Sequence, residues 1–488
     1  MKLIKRFIAV LILICIISSL CACGKGSERI YVALDSMPAT LDPQLVKSDS
    51  ELLVARNIYE GLFRQNEKGE IIVGAAQSYT FSGLTYTFTL RDNICWADGE
   101  PVLAEDFVFG IKRALSPETK APFARLLYAI SGAREAHTGA ASSDNIGITA
   151  TDEKTVEIKL AYDDKEFLRV LSMPVSMPCR KDFFNDSIGK YGLSKECVLS
   201  NGPYYLARWN KAENGIRLYV NEKYSGNARP QNGGVFIAKD KQKTVAEKLI
   251  SGEADIAFLD SKSLSDIKEN GKIKTASVQN ICWVLSLGGE LTENIRQALC
   301  MCYSPDVYSP KMPQCFCAAD SFFPNVLNVL EPSSSWAISY DSVTPQSLIS
   351  DEIKNLKNKK FPQTTLIYSE SEVLKPAIID VVGNWQEKLS AFINIKSTDK
   401  LLESELKEHS ASLSVFPVKA DSTLGEYISK FGVQYSGDIV SAYGKMLGEY
   451  NLLPFAFEDT TVGYLDNISG VYMNASGGYI DFSCVIKK

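Results

Sequence analysis

Four carboxylates fall within nine positions of the stretch "CWADGEPVLAEDFVFGIKRAL", residues 95–115: Asp98, Glu100, Glu105 and Asp106. Two such acids in unlike surroundings can divide general acid and general base work between them. The spacing argues for a structural role instead. Asp98 and Gly99 form a two-residue turn signal, because glycine tolerates positive φ, and they follow a strand running on from "YTFTLRDN". After Pro101 the pattern predicts a helix from about Ala104. Glu105 and Asp106 then lie in its first turn, where unpaired amides favour negative charge by about 0.3 to 1 kcal/mol each. Phe107, Ile111 and Leu115 recur at i, i+4 and i+8 and give this helix a stripe to bury.

Other reactive residues are sparse. The two histidines, His137 and His409, are far apart and read as surface residues. The chain contains no G-x-S-x-G elbow, H-E-x-x-H, P-loop or G-x-G-x-x-G. Of twelve cysteines, Cys300, Cys302, Cys315 and Cys317 form two C-x-C pairs, a spacing that raises a metal site or a redox switch. The first pair lies in "NIRQALCMCY", which reads as a helix, and there i and i+2 face different ways. A role as a small packing hydrophobe or in a disulfide is therefore expected ahead of a metal. No catalytic residue, metal or cofactor is expected.

The elements that would position a site alternate between strand and helix. Ile30 to Leu34, Leu84 to Leu90 and the two halves of "ITATDEKTVEIKLAY" read as strands, as do "GPYYLARWN", "GIRLYVNEKY", "GGVFIAKD" and Asp255 to Leu259. Helices are expected over Leu52 to Phe63, from about Lys243 to Glu253, and in "ENIRQALCMCY", "EVLKPAIIDVVGNWQEKLSA" and "DIVSAYGKMLGEY". The Pro/Ser-rich stretch from about Ser304 to Ser347 reads as loop, and "DEIKNLKNKK" as a solvated charged segment. At 488 residues this is a mixed α/β chain of at least two lobes.

The first 22 residues stand apart. Lys2, Lys5 and Arg6 precede an apolar run from Phe7 to Leu20 that is too short to span a bilayer and fits a signal peptide. "LCACGKGS" then reads as a lipobox, with Cys23 the lipid-modified first residue of the mature chain; a plain secretory signal is the alternative. Cleavage takes three of the 52 basic residues, leaving 49 against 58 acidic ones, a formal charge of −9. With no basic stripe, nucleic acid is not an expected partner.

The opening stretch also resembles the oligopeptide- and dipeptide-binding proteins of ABC importers, the family 5 extracellular solute-binding proteins. In that family a Y-T-F-x-L-R strand leads to a W-x-D-G-x-P turn and an A-x-D-F helix ending in K-R-A-L. Tyr86, Phe88, Leu90, Arg91, Trp96, Asp98, Gly99, Pro101, Ala104, Asp106, Phe107 and Lys112 to Leu115 match these places. "LDP" at 41–43, "IYEGLFR" at 58–64, "NGPYYL" at 201–206, "GEADIAF" at 252–258 and "IRQAL" at 295–299 follow in the family's order. One departure is Leu103, where the family often carries a Ser or Thr able to cap the helix. That loss costs something like 0.5 to 2 kcal/mol unless another group compensates.

The resemblance implies a periplasmic-binding-protein-like α/β fold, pear-shaped and two-lobed, with three domains and an interlobe cleft. Its domains would be 28–53 with 167–262 and 455–488, then 54–166, then 263–454. It implies a peptide ligand held by its backbone as an added strand. Ser36 and Met37, and Lys419 and Ala420, would supply main-chain contacts, with Asn201, Gly202 and Tyr204 near the hinge-side wall. Asp421 would anchor the peptide's ammonium group, although Val418 and Ser422 replace the aromatic residues that usually flank it. The partners implied are the permease subunits of an ABC transporter and, through the lipid on Cys23, the extracytoplasmic face of the cell membrane; the chain is expected to be a monomer. Rival readings are a sensor or scaffold of the same fold, a binder of a nickel chelate or sugar, and a surface enzyme.

Overall fold

The structure is a computed structural model that describes residues 29–488, except 211, 213–214, 241, 268–269, 289–290, 328, 330–342, 356–359, 370–371, 399–412, 421–422, 436, 449–450 and 474–478. An 11-stranded sheet runs through the molecule. Its order is Ile393–Thr398, Thr364–Ser369, Leu413–Lys419, Ile273–Ser286, Leu452–Leu465, Ile256–Leu259, Ile30–Ala33, Val235–Ala238, Gly215–Val220 and Tyr204–Asn210, with Phe316–Ala318 also paired to Leu452–Leu465.

The two 14-residue strands at its centre join the lobes. They pair antiparallel from Ile273 against Leu465 to Ser286 against Leu452. Toward Leu465 the pair is flanked by Ile256–Leu259, and toward Leu452 by Leu413–Lys419. Between these halves the register shifts across Gln279/Ile281 and again across Trp283/Val284. Extra residues of this kind bend and twist a strand locally. The lobes therefore share a bent two-strand bridge.

Apolar cores sit on either side of that bridge. One gathers Ile30, Val32, Leu53, Tyr204, Ile237, Ile480 and Phe482. Two others, built around Trp283, Leu299 and Trp385 and around Cys282, Phe322 and Tyr427, fill the opposite lobe. A further core lies in residues 62–199, where helix Ala104–Ala114 packs on a four-stranded sheet of order Ala76–Ser82, Thr85–Leu90, Thr155–Lys159, Ile148–Ala150. Phe107, Ile111 and Leu115 are all fully buried there, as their spacing predicts.

Several sequence expectations shift. The helix expected over 52–63 runs from Asp49 to Ile58, because Ser48 and Glu51 form a capping box that starts it earlier. It stops before Gly61, whose hydrogen-only side lies against the Leu171 carbonyl, where a Cβ would come within 2.6 Å. The charged "DEIKNLKNKK" is not wholly a solvated segment: Asp351 to Asn355 end the helix Pro345–Asn355, which buries Ile349 and packs on the helix Glu293–Met301. The stretch read as loop from Ser304 contains the helical turn Pro305–Tyr308 and the strand Phe316–Ala318.

Asp106 turns out to be the compensation for Leu103. Its Oδ2 accepts from the Leu103 backbone N–H at 3.0 Å and from the Trp96 indole N–H at 3.1 Å, so the third helical residue caps the helix that the preceding side chain cannot. Burial pushes the Asp106 carboxyl up to about 6, with the two hydrogen bonds opposing. The native state then holds this proton more tightly than the unfolded chain between about pH 4 and pH 6, so the group's contribution to stability falls as pH rises through that window. Asp106→Asn keeps an acceptor there and removes the charge. Denaturant titrations of the variant from pH 4 to pH 7 are expected to lose that slope and to match or exceed wild type at pH 7 by about 1 kcal/mol. A fall of 2 kcal/mol or more at pH 7 would count against a carboxyl that is costly to ionise.

Candidate functional site

The bridge strands carry a line of charged groups from one lobe to the other. Strand Leu413–Lys419 ends on Lys419, whose ammonium pairs with Asp49 in the first turn of helix Asp49–Ile58. Lys419 also interacts with Glu458 on the bridge, and Glu458 with Asp459 and with Asp260 just beyond strand Ile256–Leu259. Asp260 interacts in turn with Asp35, just beyond strand Ile30–Ala33. These carboxylates sit where strands of the same sheet end or bend, which brings sequence-distant acids together.

The line favours positive charge. Burial raises the Asp35 carboxyl, and Asp260 adds to the rise while Lys239 opposes it. Burial also raises Glu458 and Asp459; for Glu458 the Trp283 indole N–H, which donates at 2.7 Å, and Lys419 pull the other way. Acids that raise one another in this way gain from a nearby cation such as an ammonium group.

Just past the end of the interior strand Ile30–Ala33, the chain beside them carries unpaired backbone groups. Ser36 is exposed and Met37 half-buried, and among the described residues neither backbone forms a hydrogen bond. Lys419 and Ala420 are less available. The Lys419 carbonyl accepts from Lys430 Nζ at 2.7 Å, and the buried Ala420 donates its N–H to the Asn280 carbonyl at 2.7 Å. Asn280 is the extra residue at the first register shift; it is fully buried, and its Oδ1 accepts from the Thr460 hydroxyl at 2.8 Å. Asp421 lies outside the described residues, as does Cys23 with the leader before it.

Asn201, Gly202 and Tyr204 are committed to holding segments together. Asn201 exchanges two hydrogen bonds with the Glu60 backbone, at 2.9 and 3.0 Å. Gly202 donates to the Ile58 carbonyl at 2.9 Å across a gap that a Cβ would close. Tyr204 is fully buried, with its hydroxyl 2.9 Å from the Phe482 carbonyl. The structure brings Lys419, Asp49, Glu458, Asp260 and Asp35 together, and the polar atoms of these three bond elsewhere. Sequence reading missed Glu458, Asp459, Asp260 and Asp35. Asp35, Asp260 and the Glu458–Asp459 pair are far apart in the sequence, and the bridge strand "LLPFAFEDTTVGYL" that carries the pair gives no clear strand signal.

Neither cysteines nor histidines assemble into a reactive centre among the described residues. All nine described cysteines are free thiols, so of the two expected alternatives the disulfide falls away while Cys300 and Cys302 pack into the core, and no group of three or more His, Cys, Asp or Glu side chains there could hold a metal ion. Burial pushes the Cys315 thiol up to about 12, with Glu458 adding to the effect, so this cysteine beside the bridge is a poor nucleophile. His137 is bonded to the Tyr128 hydroxyl, and His409 lies outside the described residues.

Residues 70–416, well over half the chain, match the family described as bacterial extracellular solute-binding proteins, family 5 middle region. The chain belongs to that family. Among curated relatives of this family 5 protein, an oligopeptide-binding protein OppA of Bacillus subtilis is 28% identical over 53% of the chain and 49% of its own length. A periplasmic murein peptide-binding protein MppA of Escherichia coli is 28% identical over 80% of the chain and 74% of its own length. The chain thus spans about half the length of the first of these. Solved structures agree on the fold: Escherichia coli murein tripeptide binding protein MppA superposes with a TM-score of 0.74 over 94% of this chain and 98% of the other at 22% identity. Listeria monocytogenes OppA bound to peptide gives 0.74 over 95% and 100% at 18% identity. The family 5 fold is the two-lobed α/β architecture that the motifs imply. No described helix is long and apolar enough to cross a membrane.

Proposed function

We propose that this protein captures peptides between its lobes and delivers them to the permease of an ABC importer, held at the extracytoplasmic face of the cell membrane by a lipid on Cys23. The observation that carries the reading is the unpaired backbone of Ser36 and Met37 lying beside the carboxylate line of Asp35, Asp260, Glu458 and Asp459. An extended peptide can bond to such an unpaired segment through its main chain while its ammonium end is drawn to the acids. Asp421, next to Ala420 at the end of the Leu413–Lys419 strand, is the proposed ammonium anchor. Lys419 and Asp49, paired across the two lobes, support a closed form in which the ligand is enclosed. The reading keeps the protein a monomer and keeps the division into 28–53 with 167–262 and 455–488, 54–166, and 263–454; separate apolar cores support several domains, with the core of the second reaching past 166 to draw in Phe167, Leu171 and Leu199.

The test is binding by a pool of tripeptides with free amino termini and by the same pool acetylated. The free-amine pool is expected to raise the melting temperature, since a ligand at a hundredfold excess over Kd stabilises the native state by about 2.7 kcal/mol. Asp421→Asn is expected to weaken the free-amine pool about 10- to 100-fold in calorimetric titration and to leave the acetylated pool nearly unchanged. Equal effects on both pools would remove Asp421 from the anchor role. No thermal shift with either pool would remove peptide capture.

A further inference from the structure

We propose that the uncovered half of the outer sheet face, around Arg29, Tyr31, Arg217 and Phe236, rests on an anionic phospholipid surface. The inference rests on the lipid-anchor part of the function proposed above. Strand register sets Tyr31 beside Phe236 and Phe236 beside Arg217 on one face of the large sheet. The alternate residues Val32, Ile237, Ile216 and Leu218 point into the core, which leaves this row outside. Further along the same face Ala33 and Ala257 are roofed by the helix Val245–Ser251. Among the described residues no such cover lies over the row itself: Tyr31 is 41% exposed and Arg29 and Arg217 are exposed.

The row is both cationic and aromatic. The Arg29 guanidinium lies 5.2 Å from the centre of the Phe236 ring, Arg217 lies 5.0 Å from the same ring, and Lys487 Nζ lies 5.6 Å from that of Tyr31. Among the described residues neither arginine is ion-paired, so each keeps donors for an outside phosphate. Amphipathic rings interleaved with guanidinium groups suit a headgroup layer, where rings take the interface and cations meet phosphates.

Chain length and charge select the membrane as the occupant. Only "GKGSE" separates Cys23 from Arg29, six steps that reach at most about 20 Å when fully extended. An acyl chain on Cys23 thus holds this edge of the molecule close to the headgroups. The mature chain carries a formal charge of −9, which an anionic surface repels as a whole, so one cationic face determines which side approaches.

The test uses the mature protein purified from membranes and reconstituted into vesicles of phosphatidylcholine, with or without phosphatidylglycerol. Hydroxyl-radical footprinting is expected to show at least about threefold less oxidation of Tyr31 and Phe236 when phosphatidylglycerol is present, and Arg29→Glu with Arg217→Glu is expected to abolish the difference. Peptide-induced thermal shifts of that double variant should equal those of wild type, which establishes that it is folded. Equal oxidation in both lipids would overturn the proposal, as would protection that appears only when an ABC permease is co-reconstituted. Intact mass reports the acyl chain separately. If none is found the anchor reading fails alone, and cosedimentation of the unanchored protein with phosphatidylglycerol vesicles, lost in the double variant, then decides for this face.

Discussion

Arg113→Met is expected to lower the unfolding free energy by about 3 to 5 kcal/mol, read from urea denaturation at neutral pH. Arg113 ends the helix Ala104–Ala114 and reaches across to Asp42 of the "LDP" segment, with Nη1 2.8 Å from Oδ1 and Nη2 bonded to Oδ2. The same Nη1 lies 2.7 Å from Gln44 Oε1, and the guanidinium stacks 4.5 Å from the centre of the Phe184 ring. Asp42 is 1% exposed. Methionine fills much of the space and leaves that carboxylate buried without a counter-charge, which is where most of the loss arises. Adding Asp42→Leu removes the stranded charge and should recover most of the stability, within about 1 to 2 kcal/mol of wild type. A single variant that costs less than 1 kcal/mol, or a double that costs more than the single, would contradict a charge-driven loss.

Gly202→Ala is the second large effect, expected to cost about 3 kcal/mol. A Cβ at this position would lie 2.7 Å from the Ile58 carbonyl carbon and 2.9 Å from both the Ile58 oxygen and the Tyr59 nitrogen. All three are backbone atoms at the end of a helix whose cap is fixed, so no side chain can swing aside to make room. The close approach supports the Gly202 N–H to Ile58 carbonyl bond and the paired Asn201–Glu60 bonds next to it. The variant discriminates between a structural and a ligand-contacting role. Thermal denaturation without peptide should show the full loss, and whatever protein remains folded should bind peptide with wild-type affinity. A variant of normal stability and weakened binding would instead return Gly202 to the binding wall.

Much of the fold could be read before the structure because its information is local. Strands such as Leu84 to Leu90 alternate, the Phe107–Ile111–Leu115 stripe has helical period, and the Asp98-Gly99 turn needs a positive φ, seen at 103°. The two bridge strands escaped because they carry both polar and apolar residues on each face, being partly buried and partly exposed along their length. Ile273–Ser286 begins with half-exposed and exposed residues and ends in a buried run. Pro454 within the second strand further disguises it, since proline normally argues against a central strand. The register shift beside it explains how it is accommodated. The carboxylate line was illegible for a different reason. Asp35, Asp260 and Glu458 are hundreds of positions apart, and only sheet order makes them neighbours.

The route of the chain through its cores also bears on how the protein is made. The core of residues 62–199 is closed by contacts within that stretch and can consolidate as soon as it emerges. The core around Ile30 cannot. It needs Ile480, Phe482 and Val485, and Asn57 hydrogen-bonds to Ile480 and Phe482 across separations of 423 and 425 residues. A growing chain therefore keeps its first described strand and helix without their final partners until residues 480–485 have been made. Contacts this remote form slowly, so the core around Ile30 is the last part of the fold to settle.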